Sequence, residues 1–137
     1  SRRMSMHTDT NDLRATCRDL LEPLVAQTVG IDSAAVVTSD GFELASVLRA
    51  GVSAEKLAAM VSSLLALSEA VAGELAMGRC RYVIVDTECG SVITLRIPAE
   101  RQELLMSVLC GNTATLGAVL YAARDCAHAL AARLPTT

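Results

Sequence analysis

The sequence is organised around one long segment, Ser53–Met77, which consists mostly of small and apolar residues and is charged at only four positions. Ser53 is a favourable N-cap residue, and Glu55 lies in the first turn, where the helix dipole favours an anion. Alanine and leucine, which form helices readily, fill most of the remainder. The segment therefore predicts a helix of roughly 35 Å, at about 1.5 Å per residue. Gly78 follows directly and is the predicted end of this helix.

One face of the predicted helix carries large apolar side chains at helical spacing, which is typical of a helix that packs on a core. We expect this stripe to cover one face of a sheet. The stripe consists of Leu57, Val61, Leu64, Val71 and Leu75, flanked by Met60, Leu65 and Ala72.

The opposite face lacks the charges that contact with water would favour and holds small residues instead. An interior glycine costs a helix about 1 kcal/mol relative to alanine, so Gly73 suggests the close approach of a second helix. The alternative is a helix buried inside a larger core, but a small domain has few elements to cover both faces. We therefore expect a partner helix from a second copy of the chain. The residues expected at this contact are Ala59, Ser62, Ser63, Ala66, Ala70, Gly73 and Met77.

Composition narrows the functional class. A chain of 137 residues predicts one domain that buries about two-thirds of its unfolded-chain surface. Hydrophobic residues make up 52% of the chain, yet no apolar run is long enough to predict a membrane span or a secretory signal. A net charge of −3 and only three aromatic residues argue against binding to nucleic acid. The five cysteines, with no C-x-x-C pair, favour free thiols in a reducing cytoplasm.

The N-terminal part of the chain divides into an unpatterned lead and a helix. Residues 1–10 show no periodicity and are predicted to be disordered, so the single domain is placed at 11–135. Asn11 or Asp12 begins the first helix. Because proline removes a helical hydrogen bond, we expect this helix to kink or end near Pro23.

Five short runs of apolar and β-branched residues predict strands. Asp40 and Gly41 separate the first two, and we expect a type I′ hairpin turn there, since this turn requires positive φ. A second hairpin turns at Glu88–Gly90, and a final helix begins at Thr113 or Thr115. The fold class is therefore α/β, of the α+β type: one antiparallel sheet with the long helix on one face and the terminal helices on the other. The predicted strands are 33–38, 42–47, 81–86, 91–97 and 104–110.

Residues suited to catalysis are sparse. The chain has no phosphate-binding glycine loop, no dinucleotide fingerprint and no nucleophile elbow. His7 and His128 are its two histidines, too few for a zinc site without a cysteine pair. We therefore expect no catalytic residue, no cofactor and no metal, and interpret the protein as a binding protein rather than an enzyme.

Three stretches share the pattern of one family: Ala34–Ser46 (AAVVTSDGFELAS), Leu57–Leu64 (LAAMVSSL) and Ala114–Gly117 (ATLG). In these stretches the chain resembles the Roadblock/dynein light chain family in its prokaryotic form. The resemblance covers about residues 12–134 and leaves out the N-terminal lead.

The resemblance implies a profilin-like fold with a five-stranded antiparallel sheet. It also implies a homodimer in which the long helices pack together and edge strands join into one sheet, which adds Tyr82 and Ile84 to the expected interface. Members of the family serve as cytoplasmic scaffolds and regulators of small Ras-like GTPases, and they share no catalytic set. No arginine finger is therefore required here. Arginines interpreted as surface charges are Arg49, Arg79, Arg81 and Arg96.

Three functions follow as hypotheses. The first is a homodimeric regulator or scaffold that binds a small Ras-like GTPase and modulates its GTP hydrolysis. The second is a dimeric adaptor for signalling or motility complexes that has no effect on a GTPase. The third is a sensor of a small ligand. The sequence offers no convergent polar groups in an otherwise apolar core, and this argues against a sensor.

Overall fold

The computed structural model of the chain describes residues 2–100 and 102–134, and for residues 2–9 it describes the backbone only. Three parts of the sequence predictions lie outside the described residues. These are the first residue of the N-terminal lead, Arg101 in the charged segment 99–103, and Pro135 at the predicted end of the domain.

The described chain forms three helices and five strands. The five strands make one antiparallel sheet in the order β2-β1-β5-β4-β3. Helices α1 and α3 pack together on one face, and α2 crosses the other. The predicted layering of the long helix against the terminal helices is therefore confirmed. The elements are α1 Arg2–Gln27, β1 Ile31–Thr38, β2 Glu43–Val47, α2 Ala54–Glu74, β3 Tyr82–Thr87, β4 Gly90–Ile97, β5 Leu104–Gly111 and α3 Leu116–Arg133.

The sheet separates two apolar clusters of unequal size. The larger one joins α1 and α3 to the sheet and includes Leu21, Ile93 and Leu130. The smaller one lies under α2, where Leu57, Ala58, Val61 and Leu65 meet Ala35, Val37, Leu105 and Leu109. Strand β5 lies at the centre of the sheet between the two clusters, which is why its sequence is almost continuously apolar.

The first helix differs from the prediction at both ends. It begins at Arg2, inside the predicted disordered lead, and it continues through Pro23 to Gln27. Proline removes one main-chain hydrogen bond, but burial of Leu21 and Leu24 against the sheet holds the last turns in place. Because no side chain of residues 2–9 is described, the domain boundary at residue 11 stays a prediction.

The first hairpin forms where it was predicted, but its turn is of a different type. The amide of Gly41 donates to the Thr38 carbonyl at 3.0 Å, and Gly41 has a φ of +97°. Asp40 has no positive φ in this described segment, so the type I′ prediction is wrong. The geometry is that of a tight turn followed by a left-handed glycine, which is common in three-residue hairpin loops.

Helix α2 begins as predicted and ends earlier than predicted. The Ser53 hydroxyl accepts a hydrogen bond from the Lys56 amide at 3.2 Å, as an N-cap does. At the other end, Leu75 is the C-cap, and Ala76 takes the left-handed conformation with a φ of +54°. The Met77 amide then donates to the Ala72 carbonyl, five positions earlier, at 2.9 Å, which completes a Schellman motif. Gly78 therefore lies beyond the helix and does not cap it.

Candidate interaction surface

Helix α2 buries side chains against the sheet only through its first half. Its buried residues end at Leu65, and from residue 66 to residue 74 every position is exposed or half-exposed. Leu75 lies five turns from Leu57 and so points in the same direction, yet it is 61% exposed. The second half of the helix therefore extends past the region where the sheet supports it.

This geometry corrects the predicted apolar stripe. Met60, Val71 and Leu75 were assigned to the core, but they are 63%, 54% and 61% exposed. Conversely, Ser62 was assigned to the dimer contact, but it is 9% exposed and its hydroxyl donates to the Ala59 carbonyl at 3.0 Å. Ser62 is covered because the β1–β2 turn approaches it at Gly41, a contact between segments that helical spacing cannot reveal.

Between Lys56 and Glu74, which are both exposed, the outward face of α2 carries no charged side chain. Large side chains alternate on it with small ones, and Leu67 and Met77 are 66% and 74% exposed. Monomeric soluble proteins rarely expose contiguous apolar patches of this kind, which are typical of protein contact sites. We call the exposed uncharged residues of this face, together with the exposed Leu75 and Met77 that follow the helix, the α2 surface; it comprises Ala59, Met60, Ser63, Ala66, Leu67, Ala70, Val71, Gly73, Leu75 and Met77.

Strand β3 gives the sheet an open edge beside α2. It pairs only with β4 among the described strands, so one side of its main chain has no partner strand. Val83 packs with the cluster under α2, whereas Ile84 packs on the α1 and α3 side, and Tyr82 and Val85 are 37% and 38% exposed. An unprotected edge is available for pairing with a further strand.

The other edge of the sheet is occupied. Strand β2 lies against α1, and the Arg14 guanidinium donates to the Leu44 carbonyl of that strand at 2.9 Å. The same guanidinium lies 3.6 Å from the Glu43 carboxylate. The two edges therefore differ, and β3 is the one open to strand addition.

Charge is unevenly distributed along the open edge. Arg79 and Arg81 precede β3, whereas Asp86 is its second-last residue and Glu88 follows it. The Asp86 carboxylate accepts a hydrogen bond from the Ser91 hydroxyl at 2.6 Å, which fixes its position. The strand thus has a basic end and an acidic end.

Glu69 fastens the second half of α2 to the sheet. Its carboxylate oxygen lies 2.7 Å from the Arg96 guanidinium of β4 and accepts the Cys80 amide at 3.0 Å. The hydrogen bond from Arg96 holds the pKa of Glu69 below its ordinary value. The sequence analysis interpreted Arg96 as a surface charge and missed this pair, because the partners are 27 positions apart.

The described residues hold no group of three or more histidine, cysteine, aspartate or glutamate side chains that could bind a metal ion. Burial raises the pKa of the Cys17 and Cys126 thiols to about 11, so both are protonated at neutral pH. What the surface can do is bind, by apolar contact along α2 and by main-chain pairing at β3.

A family model for the Roadblock/LC7 domain matches residues 18–106, which is more than half of the chain. This chain belongs to the Roadblock/LC7 family. The resemblance drawn from the sequence motifs is thereby confirmed. No curated protein matches the chain.

Solved structures support the same fold. A Roadblock/LC7 domain from Streptomyces avermitilis is 20% identical, with a TM-score of 0.75 over 82% of this chain and 92% of that one. The gliding protein MglB from Thermus thermophilus is 22% identical, with a TM-score of 0.75 over 88% and 89%. Profilin II from Acanthamoeba castellanii is 16% identical, with a TM-score of 0.56 over 82% and 94%, so the profilin-like prediction is also confirmed.

One described helix of this Roadblock/LC7 domain, α2, is long and apolar enough to cross a membrane by length and composition alone, with a mean hydropathy of 1.4. The same two properties are met by helices that pack between a sheet and a protein partner. Leu57, Val61 and Leu65 are buried on the sheet, and Glu69 is paired with Arg96. One side of α2 is therefore packed on the sheet of its own domain.

The predicted contact residues differ in exposure. Ser62 is buried, Ile84 is partly covered by its own chain, and the remaining residues, which include Tyr82, are exposed. Their contact with a second copy stays a prediction. The large residues Met60, Leu67 and Val71 share the exposed face. Met60 and Val71 were expected on the core side, and Leu67 was expected on neither side.

Proposed function

We propose that this Roadblock/LC7 protein is a homodimeric, cytoplasmic regulator that binds a small Ras-like GTPase and modulates its GTP hydrolysis. The observation that carries the proposal is the α2 surface, an exposed apolar helix face that lies beside the open edge of β3. A surface of this kind is typical of protein contact sites, and the family resemblance is the basis for proposing a small GTPase as the partner.

A second copy of the chain is the occupant that fits the α2 surface. Small residues such as Ala66 and Ala70 allow two helices to approach closely, while Leu67 supplies apolar area between them. The exposed residues proposed for the dimer contact are Ala59, Ser63, Ala66, Ala70, Gly73, Met77 and Tyr82, with Ile84 at the strand edge.

The charges of β3 favour the same occupant in one orientation. When two copies of this strand pair antiparallel about a two-fold axis, the start of each lies beside the end of the other. Arg81 of one copy then faces the end that carries Asp86 and Glu88 in the other. A parallel arrangement would place like charges together, which is unfavourable.

Binding of a GTPase is proposed from the family resemblance and from the surface that dimerisation creates. The protein would act by organising the GTPase's own residues, since we assign it no catalytic group. We do not propose that it is an enzyme with its own active site.

The test is a pull-down from an extract of the source cells, with the purified protein immobilised and either GTPγS or GDP added. We expect a small GTPase, identified by mass spectrometry, to be retained with GTPγS and not with GDP. The recovered GTPase should then hydrolyse GTP at a rate that changes when the protein is added. Retention of no GTPase in either nucleotide state contradicts the proposal.

A dimeric adaptor without effect on GTP hydrolysis is the second candidate. It is favoured by the structural likeness to the gliding protein MglB from Thermus thermophilus. Equal retention of the GTPase with both nucleotides, together with an unchanged hydrolysis rate, would support the adaptor over the regulator.

A further inference from the structure

A depression of about 240 Å³ lies where α3 meets the start of β3 and the end of β4. Its walls carry an unusual concentration of one charge. Arg79 and Arg81 come from the segment before β3, Arg96 from β4, and Arg124 from α3, with His128 one turn further along α3. Arg96 turns its guanidinium to Glu69 on the α2 side of the sheet, so the lining arginines without an ion pair are Arg79, Arg81 and Arg124.

These charges are only partly offset within the described chain. Arg96 and, more weakly, Arg79 hold the pKa of Glu69 below its ordinary value, so Glu69 offsets part of their charge. The protein has 12 lysines and arginines and a net charge of −3, so three arginines without an ion pair at one depression oppose the overall balance. Arg96 is paired with Glu69 at 2.7 Å. Arg79, Arg81 and Arg124 form no ion pair in the part of the structure that is described. Like charges held together repel one another, and a bound anion would offset that repulsion.

The arrangement is held in place by contacts that do not use the unpaired arginines. Glu69 binds both the Arg96 side chain and the Cys80 amide, so the segment that carries Arg79 and Arg81 is fastened to α2. Arg124 projects from a helix whose opposite face is buried in the core. The guanidinium groups are therefore presented from anchored backbone rather than from a free loop.

We propose that this depression binds a small phosphorylated molecule, with the phosphate held by Arg79 and Arg124. The planar guanidinium binds phosphate through two parallel hydrogen bonds, and a cleft lined by one sign of charge attracts the opposite charge. Leu95 and Pro98 supply an apolar wall for the rest of the ligand. The volume lies below the range of about 300–1,000 Å³ typical of pockets for drug-sized ligands, so the depression suits a compact phosphoester.

The test measures binding of pyrophosphate, the simplest probe of this chemistry, to the full chain by isothermal titration calorimetry. Ionic strength is held constant with sodium chloride. The variants are Arg124→Gln and Arg79→Gln, and the matched control is Arg133→Gln, which removes the same charge from an exposed position on α3 outside the depression. Light scattering checks that every variant keeps the mass of the wild type.

We expect saturable binding at one site per chain, weakened at least about tenfold by Arg124→Gln and by Arg79→Gln, since each removes a charge-assisted hydrogen bond. Arg133→Gln should bind within about twofold of the wild type, because an exposed charge that makes no contact contributes little. Equal binding by all four proteins would overturn the proposal in favour of non-specific attraction. Binding of an acidic peptide that pyrophosphate does not displace would overturn it in favour of a protein partner. The inference does not rest on the dimer or the GTPase, and the mass measurement separates its failure from theirs.

Discussion

Truncation of a leucine to alanine should have different effects on the two faces of α2. Leu65 and Leu67 are two positions apart on one helix, yet Leu65 is 3% exposed under the sheet and Leu67 is 66% exposed on the α2 surface. Leu65→Ala should therefore destabilise the folded chain, whereas Leu67→Ala should weaken dimerisation. The pair is matched in chemistry and differs only in what covers each side chain.

The magnitudes follow from burial. Leu65→Ala should lower the free energy of unfolding by about 2–5 kcal/mol, because it removes buried methyl groups and leaves a cavity. Leu67 keeps about a third of its surface covered, so its truncation should cost the monomer about 1 kcal/mol or less. In the dimer the remaining two-thirds would be buried in each copy, worth about 1–2 kcal/mol per copy. Loss of both copies predicts a dissociation constant raised about 30- to 1,000-fold.

Two assays separate the effects. Urea unfolding is measured in an Ala66→Arg background, which should keep the chain monomeric and so remove the dependence of stability on protein concentration. The dissociation constant is measured without that background, by sedimentation over a dilution series. The reasoning is refuted if Leu67→Ala destabilises the monomer as much as Leu65→Ala does, or if it leaves the dissociation constant unchanged.

Three further predictions concern the fold. Gly90→Ala should lower the free energy of unfolding in urea by about 2–6 kcal/mol, because φ is +148° and a β-carbon would overlap the Cys110 carbonyl oxygen. Gly51→Ala, with a φ of +88° and open space around it, should lower it less, and equal losses would refute the steric argument. Ala76→Gly should raise the free energy of unfolding by about 0.5–1 kcal/mol, since it relieves a left-handed alanine at the end of α2, and a loss of stability would contradict this. Glu69→Gln should lower the urea midpoint at neutral pH; because its arginine partner depresses the folded-state pKa, this stabilisation is present above the ordinary pKa of 4.5 and disappears as the pH falls below it. A difference from the wild type that persists undiminished at pH 3 would rule out that cause.

Local patterns in the sequence predict most of the elements. Ser53 caps α2 because the hydroxyl and the amide that it binds are three residues apart, a relation that the sequence contains. The two hairpins and the apolar run of β5 are recognisable for the same reason. The layering of the sheet then follows from connections that are short and mostly hairpins.

What sequence analysis missed depends on contacts between distant segments. The exposure of Val71 and Leu75 is decided by where the sheet ends beneath α2, which helical periodicity does not encode. Ser62 is buried by the turn at Gly41, 21 positions away. The pair of Glu69 and Arg96 likewise joins α2 to β4, across 27 positions of sequence. A residue that looks like a surface charge in sequence can therefore anchor the fold.

The convergence of arginines beside α3 was hidden for a related reason. Arg79 and Arg81 are neighbours in sequence, but Arg124 is more than 40 positions away and comes from a different element. In the sequence each of these arginines looks like an isolated exposed charge, and only the packing of α3 beside the start of β3 brings them together. The overall net charge of −3 gives no sign of this local concentration.

The central claim is that a second copy of the chain covers the α2 surface and the edge of β3. The measurement that tests it most directly is the mass of the purified chain in solution, by sedimentation equilibrium, for the wild type and two variants. Ala66→Arg places a charge in the middle of the α2 surface, and Ala132→Arg places the same charge on an exposed position of α3. The account predicts twice the chain mass of 14.4 kDa for the wild type and for Ala132→Arg, and a single chain mass for Ala66→Arg. A wild type of 14.4 kDa at every concentration, or an Ala66→Arg variant of unchanged mass, would contradict it.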